Sequence, residues 1–136
     1  MGYLIDTNIL SELRKDKKAK KANAGVRDWY AQTDGNSLYI SVLTLGEIRQ
    51  GIESLRRRDV IAAESLQSWF KKLEIGRVLA ITPEIADCWG RINVPDKLPV
   101  IDGYLAATAL VHDLTLVTRN VKDVERSGVK LLNPFN

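Results

Sequence analysis

The fold is decided by Tyr104-Leu105-Ala106-Ala107-Thr108-Ala109-Leu110-Val111 and, close behind it, Thr115-Leu116-Val117-Thr118. The first segment is apolar on nearly every side, which predicts a helix buried against a sheet. The second is a short apolar run of the kind that forms a buried strand. Helices packed on both faces of a parallel sheet are typical of α/β proteins, and this pairing predicts that class.

The same alternation continues along the rest of the chain. Apolar runs at 3–5, 38–40, 78–81 and 129–132 predict four more strands. Apolar residues at three- and four-residue steps predict helices between them: Leu45, Ile48, Ile52 and Leu55, then Ala63, Leu66, Phe70 and Leu73, then Ile85, Trp89 and Ile92. We therefore predict a three-layer α/β/α sandwich with a central, mainly parallel sheet of about five strands.

Length and composition favour one soluble domain that spans residues 1–136, with 45% hydrophobic and 27% charged residues. No apolar run approaches the ~18–20 residues that cross a bilayer, and Asp6 comes too early for a secretory signal. The single cysteine, Cys88, excludes an internal disulfide and fits a reducing compartment. We expect a cytoplasmic protein with no membrane segment.

The net charge of +3 is concentrated in basic runs at 14–21 and 56–58. Such runs are found in solvated helix ends and loops, and also where a protein contacts a phosphate backbone; the sequence leaves both interpretations open. We expect a loop at about 15–22, and an irregular segment at 94–99 because two prolines interrupt it.

Acidic and amide side chains recur where the predicted strands end. Asp6 follows the first strand, Glu47 lies early in the next long helix, and Asp102 opens the buried helix. Asn120 follows the fourth strand, and Asp123 comes one helical turn later. Carboxylates that share a cleft repel one another unless a cation neutralises them. Oxygen ligands without a His/Cys cluster favour Mg²⁺ or Mn²⁺ over zinc.

Helix capping is the alternative interpretation of each acid. Asp6 and Asp102 could be N-caps, Thr44-Leu45-Gly46-Glu47 has the capping-box pattern, and Asn120-Val121-Lys122-Asp123 nearly matches it. As a set the acids are harder to explain, since serine or threonine would cap as well without charge. The strongest case is Ile101-Asp102-Gly103-Tyr104, which places an acid and a glycine inside a very apolar segment.

Four segments resemble the signature segments of PIN-domain ribonucleases, in the right order and at the right separations. They are Leu4-Ile5-Asp6-Thr7-Asn8-Ile9-Leu10, Ser41-Val42-Leu43-Thr44-Leu45-Gly46-Glu47-Ile48-Arg49-Gln50-Gly51, Ile101-Asp102-Gly103-Tyr104-Leu105-Ala106-Ala107-Thr108-Ala109 and Leu116-Val117-Thr118-Arg119-Asn120. More narrowly, they look like the VapC toxins of bacterial toxin–antitoxin systems, including the FitB-like branch. The resemblance covers essentially the whole chain.

This resemblance implies a Mg²⁺-dependent endoribonuclease, with Mn²⁺ as a possible substitute. Asp6 and Asp102 would be the principal metal ligands, and Glu47 would act directly or through water. Many PIN domains have a fourth acid where this chain has Asn120; Asp123 could supply that charge, although capping explains it equally well.

The resemblance also implies partners for the chain. They are an RNA substrate, a second copy in a homodimer, and a cognate VapB-like antitoxin in a heterotetramer or larger assembly. Arg49 and Arg119 lie close in sequence to the acids and could hold phosphate, although Arg119 could equally balance the carboxylates.

Other functions remain open at this point. A haloacid-dehalogenase-type phosphatase needs an acid where Asn8 stands, and a response-regulator receiver needs paired acids and a late lysine that are not evident. A catalytically silent PIN-like module that binds RNA or protein would suit the basic runs but leave the acids unexplained. His112, at the far end of the buried helix from Asp102, is expected at a helix terminus rather than as a general base, and Cys88 is expected in the core.

Overall fold

The computed structural model describes residues 2–17, 21–73 and 77–136 and contains one five-stranded sheet in the order β3-β2-β1-β4-β5. Every neighbouring pair of strands is parallel. The strands are β1 (Tyr3–Ile5), β2 (Leu38–Ser41), β3 (Arg77–Leu79), β4 (Thr115–Val117) and β5 (Leu131–Leu132). The predicted sheet is therefore confirmed, although several strands are a residue or two shorter than the apolar runs.

Helices connect these strands and cover both faces of the sheet. They are α1 (Thr7–Lys17), α2 (Ala24–Gln32), α3 (Val42–Arg56), α4 (Val60–Lys72), α5 (Pro83–Ile92), α6 (Val100–His112) and α7 (Val121–Val124). Short 3-10 segments lie at Gly35–Ser37 and Glu125–Ser127. Among the described residues, no helix is long and apolar enough to cross a membrane.

Two hydrophobic cores, one on each face, create the three layers. Successive side chains of a strand point to opposite faces. Accordingly, Leu4 and Leu116 pack with Leu105 of α6 on one face, while Ile5 and Val117 pack with the helices α1 and α2 on the other. The predicted α/β/α sandwich is confirmed, and α6 is buried along most of its length as its composition predicts.

The central position of β1 places the ends of β1 and β4 side by side. Leu4 pairs with Leu116 and Ile5 with Val117, in register. The chain leaves β1 toward β2 on one side, and β4 lies on the other, so the strand order reverses between β1 and β4. In open parallel sheets, ligands bind outside the carboxyl ends of the strands at such a point.

The structure corrects several predictions about helices. Helix α2 has no counterpart in the sequence prediction; it begins at Ala24, where the side chain of Asn23 caps the Val26 N–H. The prediction of a loop at about 15–22 is wrong at its start, because α1 continues to Lys17. Residues 18–20 of that expected loop lie outside the described part of the chain. The segment 94–99 contains no regular helix or strand, as predicted.

Candidate active site

The predicted acids meet in an open cleft of about 430 Å³ at the carboxyl ends of β1 and β4. Asp6 comes from the end of β1, Glu47 from the second turn of α3, Asp102 from the first turn of α6, and Asn120 from the segment after β4. These four side chains were predicted from sequence to be neighbours, and the structure brings all of them to the wall of one cleft.

Asp6 is a buried acid of the cleft, with only 6% of its surface exposed. Its Oδ2 accepts hydrogen bonds from the Thr118 hydroxyl at 2.8 Å and from Asn8 Nδ2 at 3.2 Å. Its Oδ1 accepts one from the backbone N–H of Thr7 at 2.6 Å. Burial raises the pKa of Asp6 and the charge of Glu47 adds to the rise, against the lowering effect of these hydrogen bonds. The N-cap interpretation of Asp6 gains no support, because an N-cap side chain bonds the second or third N–H of its helix, whereas the donor here is Thr7, the first residue of α1.

Glu47 is held by a residue that lies forty positions earlier in the chain. The hydroxyl of Thr7 donates a hydrogen bond of 2.6 Å to Glu47 Oε1. The capping-box interpretation of Thr44 and Glu47 is wrong, because α3 begins at Val42 and is capped by Ser41, whose Oγ accepts from the Leu43 N–H at 3.0 Å. Thr44 is fully buried inside the helix. Glu47 therefore lines the cleft and takes no part in capping α3.

Asp102 is the least compensated acid of the cleft. The helix α6 begins at Val100 and has Pro99 as its N-cap, so Asp102 lies inside the first turn and the expectation that it opens or caps the helix is wrong. No donor among the described residues hydrogen-bonds its carboxylate. Burial raises the pKa of Asp102 from 3.8 to about 6, with further contributions from the charges of Asp6, Asp123 and Glu47.

The glycine after Asp102 lies where α6 packs closely against α5. A Cβ on Gly103 would lie 3.2 Å from Nε1 of Trp89, a residue of α5 whose ring stacks on Tyr104 at 4.7 Å. A side chain at this position would require the Trp89 ring to shift by a few tenths of an ångström. The Asp-Gly pair in the sequence thus combines an acid for the cleft with a close helix–helix contact.

The fourth corner of the cleft is formed by Asn120. It lines the cleft and is the N-cap of α7, but its side chain makes no capping hydrogen bond. Its backbone N–H donates to the Thr118 hydroxyl at 3.0 Å. Asp123 is exposed on α7 and does not line the cleft, but its charge contributes to the raised pKa of Asp102.

The two arginines that were predicted to hold phosphate are placed differently. Arg119 lines the cleft, and its guanidinium lies 4.7 Å from the centre of the Phe135 ring. Arg49 forms an exposed ion pair with Glu53 at 3.0 Å and is not among the residues that line the cleft. The structure therefore favours Arg119 over Arg49 as a group that can meet a ligand in the cleft.

The polar groups that hold and flank the acids were not predicted from the sequence. Thr7, Asn8 and Thr118 orient Asp6 and Glu47. Glu12 and Lys15, joined by an ion pair of 2.9 Å, form another part of the wall. The position of Thr118 at the end of a buried strand was the one available signal, since a hydroxyl at the end of an apolar run needs a partner.

The donor set fits a hard divalent cation, with one restriction. In residues 2–17, 21–73 and 77–136, no three carboxylate, histidine or cysteine side chains converge closely enough to hold an ion directly. Mg²⁺ usually keeps several waters and uses one or two protein carboxylates, so a looser arrangement is compatible with it. The unpaired Asp102, with other negative charges close enough to raise its pKa, is the feature that a cation would relieve.

His112 and Cys88 take no part in this cleft. His112 is exposed as the last residue of α6, as expected. Cys88 is half-buried on α5, and burial raises the pKa of its thiol, so it is not an activated nucleophile.

Comparison with known proteins identifies the family to which this fold belongs. The profile of the PIN domain family matches residues 3–126. Toxin FitB of Neisseria gonorrhoeae is 28% identical over 141 residues and 98% of each chain is covered. Ribonuclease VapC1 of Rickettsia felis is 30% identical over 138 residues, with 97% of this chain and 96% of that protein covered. A chain in the crystal structure of FitAcB from N. gonorrhoeae superposes with a TM-score of 0.86 at 26% identity, covering 97% of both chains.

Proposed function

The chain belongs to the PIN-domain family, and from that premise we propose that it is a metal-dependent endoribonuclease and the toxin of a type II toxin–antitoxin system. Two relatives that match nearly the whole chain are named as a toxin and as a ribonuclease. The cofactor in this proposal is Mg²⁺, with Mn²⁺ as a substitute. The substrate is RNA, cleaved by hydrolysis of a phosphodiester bond.

The single observation that carries the proposal is the state of Asp102. A half-buried carboxyl group with no hydrogen-bond donor, whose pKa is raised to about 6, is unfavourable for folding. Asp6 and Glu47 raise it further through their charges. A protein can retain such an arrangement where a cation binds the ionised acids, and carboxylate oxygens select a hard divalent ion.

The cleft residues divide the work of holding such an ion. Asp6 and Asp102 would be its protein ligands, and Glu47 would reach it directly or through water. Thr118, Asn8 and the Thr7 N–H fix the Asp6 carboxylate, and Oδ1, which accepts only one hydrogen bond, keeps a second lone pair for the ion. Asn120 could add a neutral oxygen ligand. Asp123 would act at longer range, through its charge on Asp102.

The reaction that this cleft supports is attack by water on a phosphodiester. A bound divalent ion offsets charge on the scissile phosphate and lowers the pKa of a bound water. Arg119, stacked on Phe135, presents a guanidinium at the cleft where it can hold a phosphate oxygen. Lys15 lies at the same wall, where its ammonium group is paired with Glu12. No side chain of the cleft is a strong nucleophile, which is consistent with direct hydrolysis.

We also propose a protein partner for the acidic cleft. A toxin of this kind would be held inactive by a VapB-like antitoxin, and a basic antitoxin side chain would find complementary charge between Asp6 and Asp102. The proposed assembly is a homodimer that forms a heterotetramer, or a larger complex, with the antitoxin. Support comes from the whole-length similarity to a protein named Toxin FitB.

Cleavage of RNA by purified protein tests the proposal. A pool of structured RNAs is incubated with Mg²⁺ and wild-type protein, with an EDTA control, with Asp6→Asn and with Asp28→Asn. Asp28 is an exposed acid of α2 and is a matched control for the loss of one charge. We expect cleavage by wild type and Asp28→Asn, and none with EDTA or Asp6→Asn.

Two results would contradict the proposal. Equal cleavage in EDTA would remove the metal from the mechanism. RNA binding by the wild type without cleavage, in Mg²⁺ and in Mn²⁺, would instead favour the catalytically silent RNA-binding module.

A further inference from the structure

A second concavity lies between α1 and α4, away from the catalytic acids. It has a volume of about 470 Å³ and is lined by Arg14, Ser65, Ser68, Trp69, Lys72 and Leu73. We call these six residues the Arg14 pocket. Among the described residues, its polar lining consists of two cations and two hydroxyl groups and includes no carboxylate. This lining differs from the acidic cleft in the sign of its charge, and therefore in the class of ligand that it can hold.

Arg14 is an unusual buried cation. Only 9% of its surface is exposed. Arg14 belongs to a basic run, and such a run would be exposed to solvent if it formed a solvated helix end. One terminal nitrogen donates to Ser65 Oγ at 2.9 Å, and the guanidinium lies 5.6 Å from the centre of the Trp69 ring. Its Nε is buried and has no hydrogen-bond partner. No carboxylate of the described residues pairs with it, although a buried charge is costly unless it is paired.

The chemistry of the pocket is that of an anion site. An arginine guanidinium is a planar cation with N–H donors that match a phosphate or a carboxylate. Lys72 is exposed at the pocket wall and adds a mobile positive charge. Ser65 and Ser68 supply hydroxyl donors. The indole of Trp69 is half-buried beneath the guanidinium and fixes its orientation.

The Arg14 pocket and the acidic cleft are near each other, because both share lining residues with a third concavity. A smaller concavity of about 220 Å³ lies between them. It shares Arg14 and Trp69 with the Arg14 pocket. It shares Thr7, Ser11 and Glu47 with the acidic cleft. One extended ligand can therefore occupy both ends, with negative charges at intervals along its length as in a nucleic-acid strand.

We propose that the Arg14 pocket binds a backbone phosphate of the RNA strand whose scissile bond lies in the acidic cleft, an inference that rests on the proposed ribonuclease function. The subsite adds affinity and sets the path of the strand without reading bases. The bound phosphate supplies the negative counter-charge that Arg14 lacks within the described chain. The acidic cleft holds the reacting phosphate, and the Arg14 pocket holds another one along the same strand.

Binding of a single-stranded RNA at several salt concentrations tests this subsite. The probe is a fluorescein-labelled oligouridylate, and the medium contains EDTA so that no cleavage occurs. Lys72→Gln is the main variant because Lys72 is exposed and its loss should not disturb folding. Lys71→Gln is the matched control, an exposed lysine of the same helix that does not line the pocket. Arg14→Gln and Arg14→Lys complete the set, with circular dichroism to confirm folding.

The two lysine variants should separate clearly. Lys72→Gln should weaken binding roughly three- to ten-fold at low salt, and it should reduce the slope of log K against log salt by about 0.7, the value for one phosphate contact in a single strand. Lys71→Gln should leave that slope unchanged. A folded Arg14→Gln should bind more weakly still, and Arg14→Lys should be intermediate because it keeps the charge and loses the donor edge.

Three results would overturn the proposal, each in a distinguishable way. Equal slopes for Lys72→Gln and Lys71→Gln, with normal wild-type binding, would remove the subsite and leave the ribonuclease proposal standing. Absence of wild-type binding would also overturn the subsite, and the cleavage assay in Mg²⁺ would then decide the ribonuclease proposal separately. Displacement of the oligouridylate by an oligoglutamate peptide of equal charge, abolished by Lys72→Gln, would assign the pocket to an acidic segment of a protein partner.

Discussion

Replacement of Asp102 by asparagine should make the metal-free protein more stable while it abolishes cleavage. The native fold holds this carboxyl group half-buried, without a hydrogen-bond donor and near other acids, and its pKa is raised from 3.8 to about 6. The ionised form is therefore disfavoured in the folded state relative to the unfolded chain. Stability is lost as the pH rises through this interval, and above it the full cost of the ionised group is present.

The size of this effect follows from the pKa. A rise from 3.8 to about 6 corresponds to at most about 3 kcal/mol, at about 1.4 kcal/mol for each factor of ten in the acid dissociation constant. Solvent screens a group that is only half-buried, so we expect about 1–2 kcal/mol. In a domain of this size that is a rise in Tm of roughly 3–10 °C above about pH 7.

Thermal unfolding in EDTA, at about pH 4 and about pH 8, measures this difference. Asp102→Asn should gain stability over wild type near pH 8 and little near pH 4. Glu84→Gln, an exposed acid in the first turn of α5, is the matched control and should show no such gain. A Tm for Asp102→Asn at or below that of wild type near pH 8 would refute the reasoning that Asp102 is an uncompensated acid.

Three further predictions concern the surroundings of the acids. Thr118→Val removes the buried hydroxyl that orients Asp6, so kcat should fall about 10- to 100-fold. The free energy of unfolding in a denaturant titration should be about 1–3 kcal/mol lower. An unchanged kcat would contradict the orienting role. Arg119→Gln should raise KM for RNA several-fold, whereas Arg49→Gln, which breaks only an exposed ion pair, should change KM by less than about two-fold; equal effects would contradict the placement of Arg119 at the substrate. Asp123→Asn removes a charge that raises the pKa of Asp102, so NMR titration of the Asp102 carboxyl in EDTA should give a lower pKa, and an unchanged value would show that Asp123 does not act on it.

The sheet was predictable from sequence because its signal is local. Leu4 and Ile5 are both buried, as are Leu116 and Val117, because helices cover both faces of the sheet, and such runs of consecutive apolar residues predict a doubly covered strand. Helix α2 was missed because its short sequence carries only one fully buried residue, Val26, and so shows little periodicity. Its start depends on the side chain of Asn23, which is a weak signal when taken alone.

The acids of the site were predictable as a group, but their partners were not. Asp6 directly follows β1 and Asp102 lies in the first turn of α6, so both are close to the ends of elements that the apolar pattern defines. The hydroxyl that holds Asp6 comes from Thr118, and the one that holds Glu47 comes from Thr7. These pairs are far apart in sequence, and only the register of β1 against β4 and the packing of α1 near α3 bring them together. No local pattern encodes such a contact.

The burial of Arg14 was hidden for a similar reason. A basic run predicts solvent exposure, and Arg14 lies at its first position. Its side chain turns instead toward Ser65 and Trp69 of α4, a contact that depends on how α4 lies beside α1. Charge patterns along a sequence thus indicate net charge reliably and the direction of individual side chains poorly.

Binding of Mn²⁺, followed by electron paramagnetic resonance, tests the central claim most directly, because it asks whether the acidic cleft holds a divalent ion independently of any RNA. The comparison is between wild type, Asp102→Asn, and the exposed control Glu84→Gln at about pH 8, where the acids are ionised. We predict that wild type and Glu84→Gln bind Mn²⁺ equally, that Mg²⁺ displaces it, and that Asp102→Asn binds at least about ten-fold more weakly. Equal Mn²⁺ binding by all three proteins, or no binding by wild type, would contradict a metal site formed by Asp6, Glu47 and Asp102.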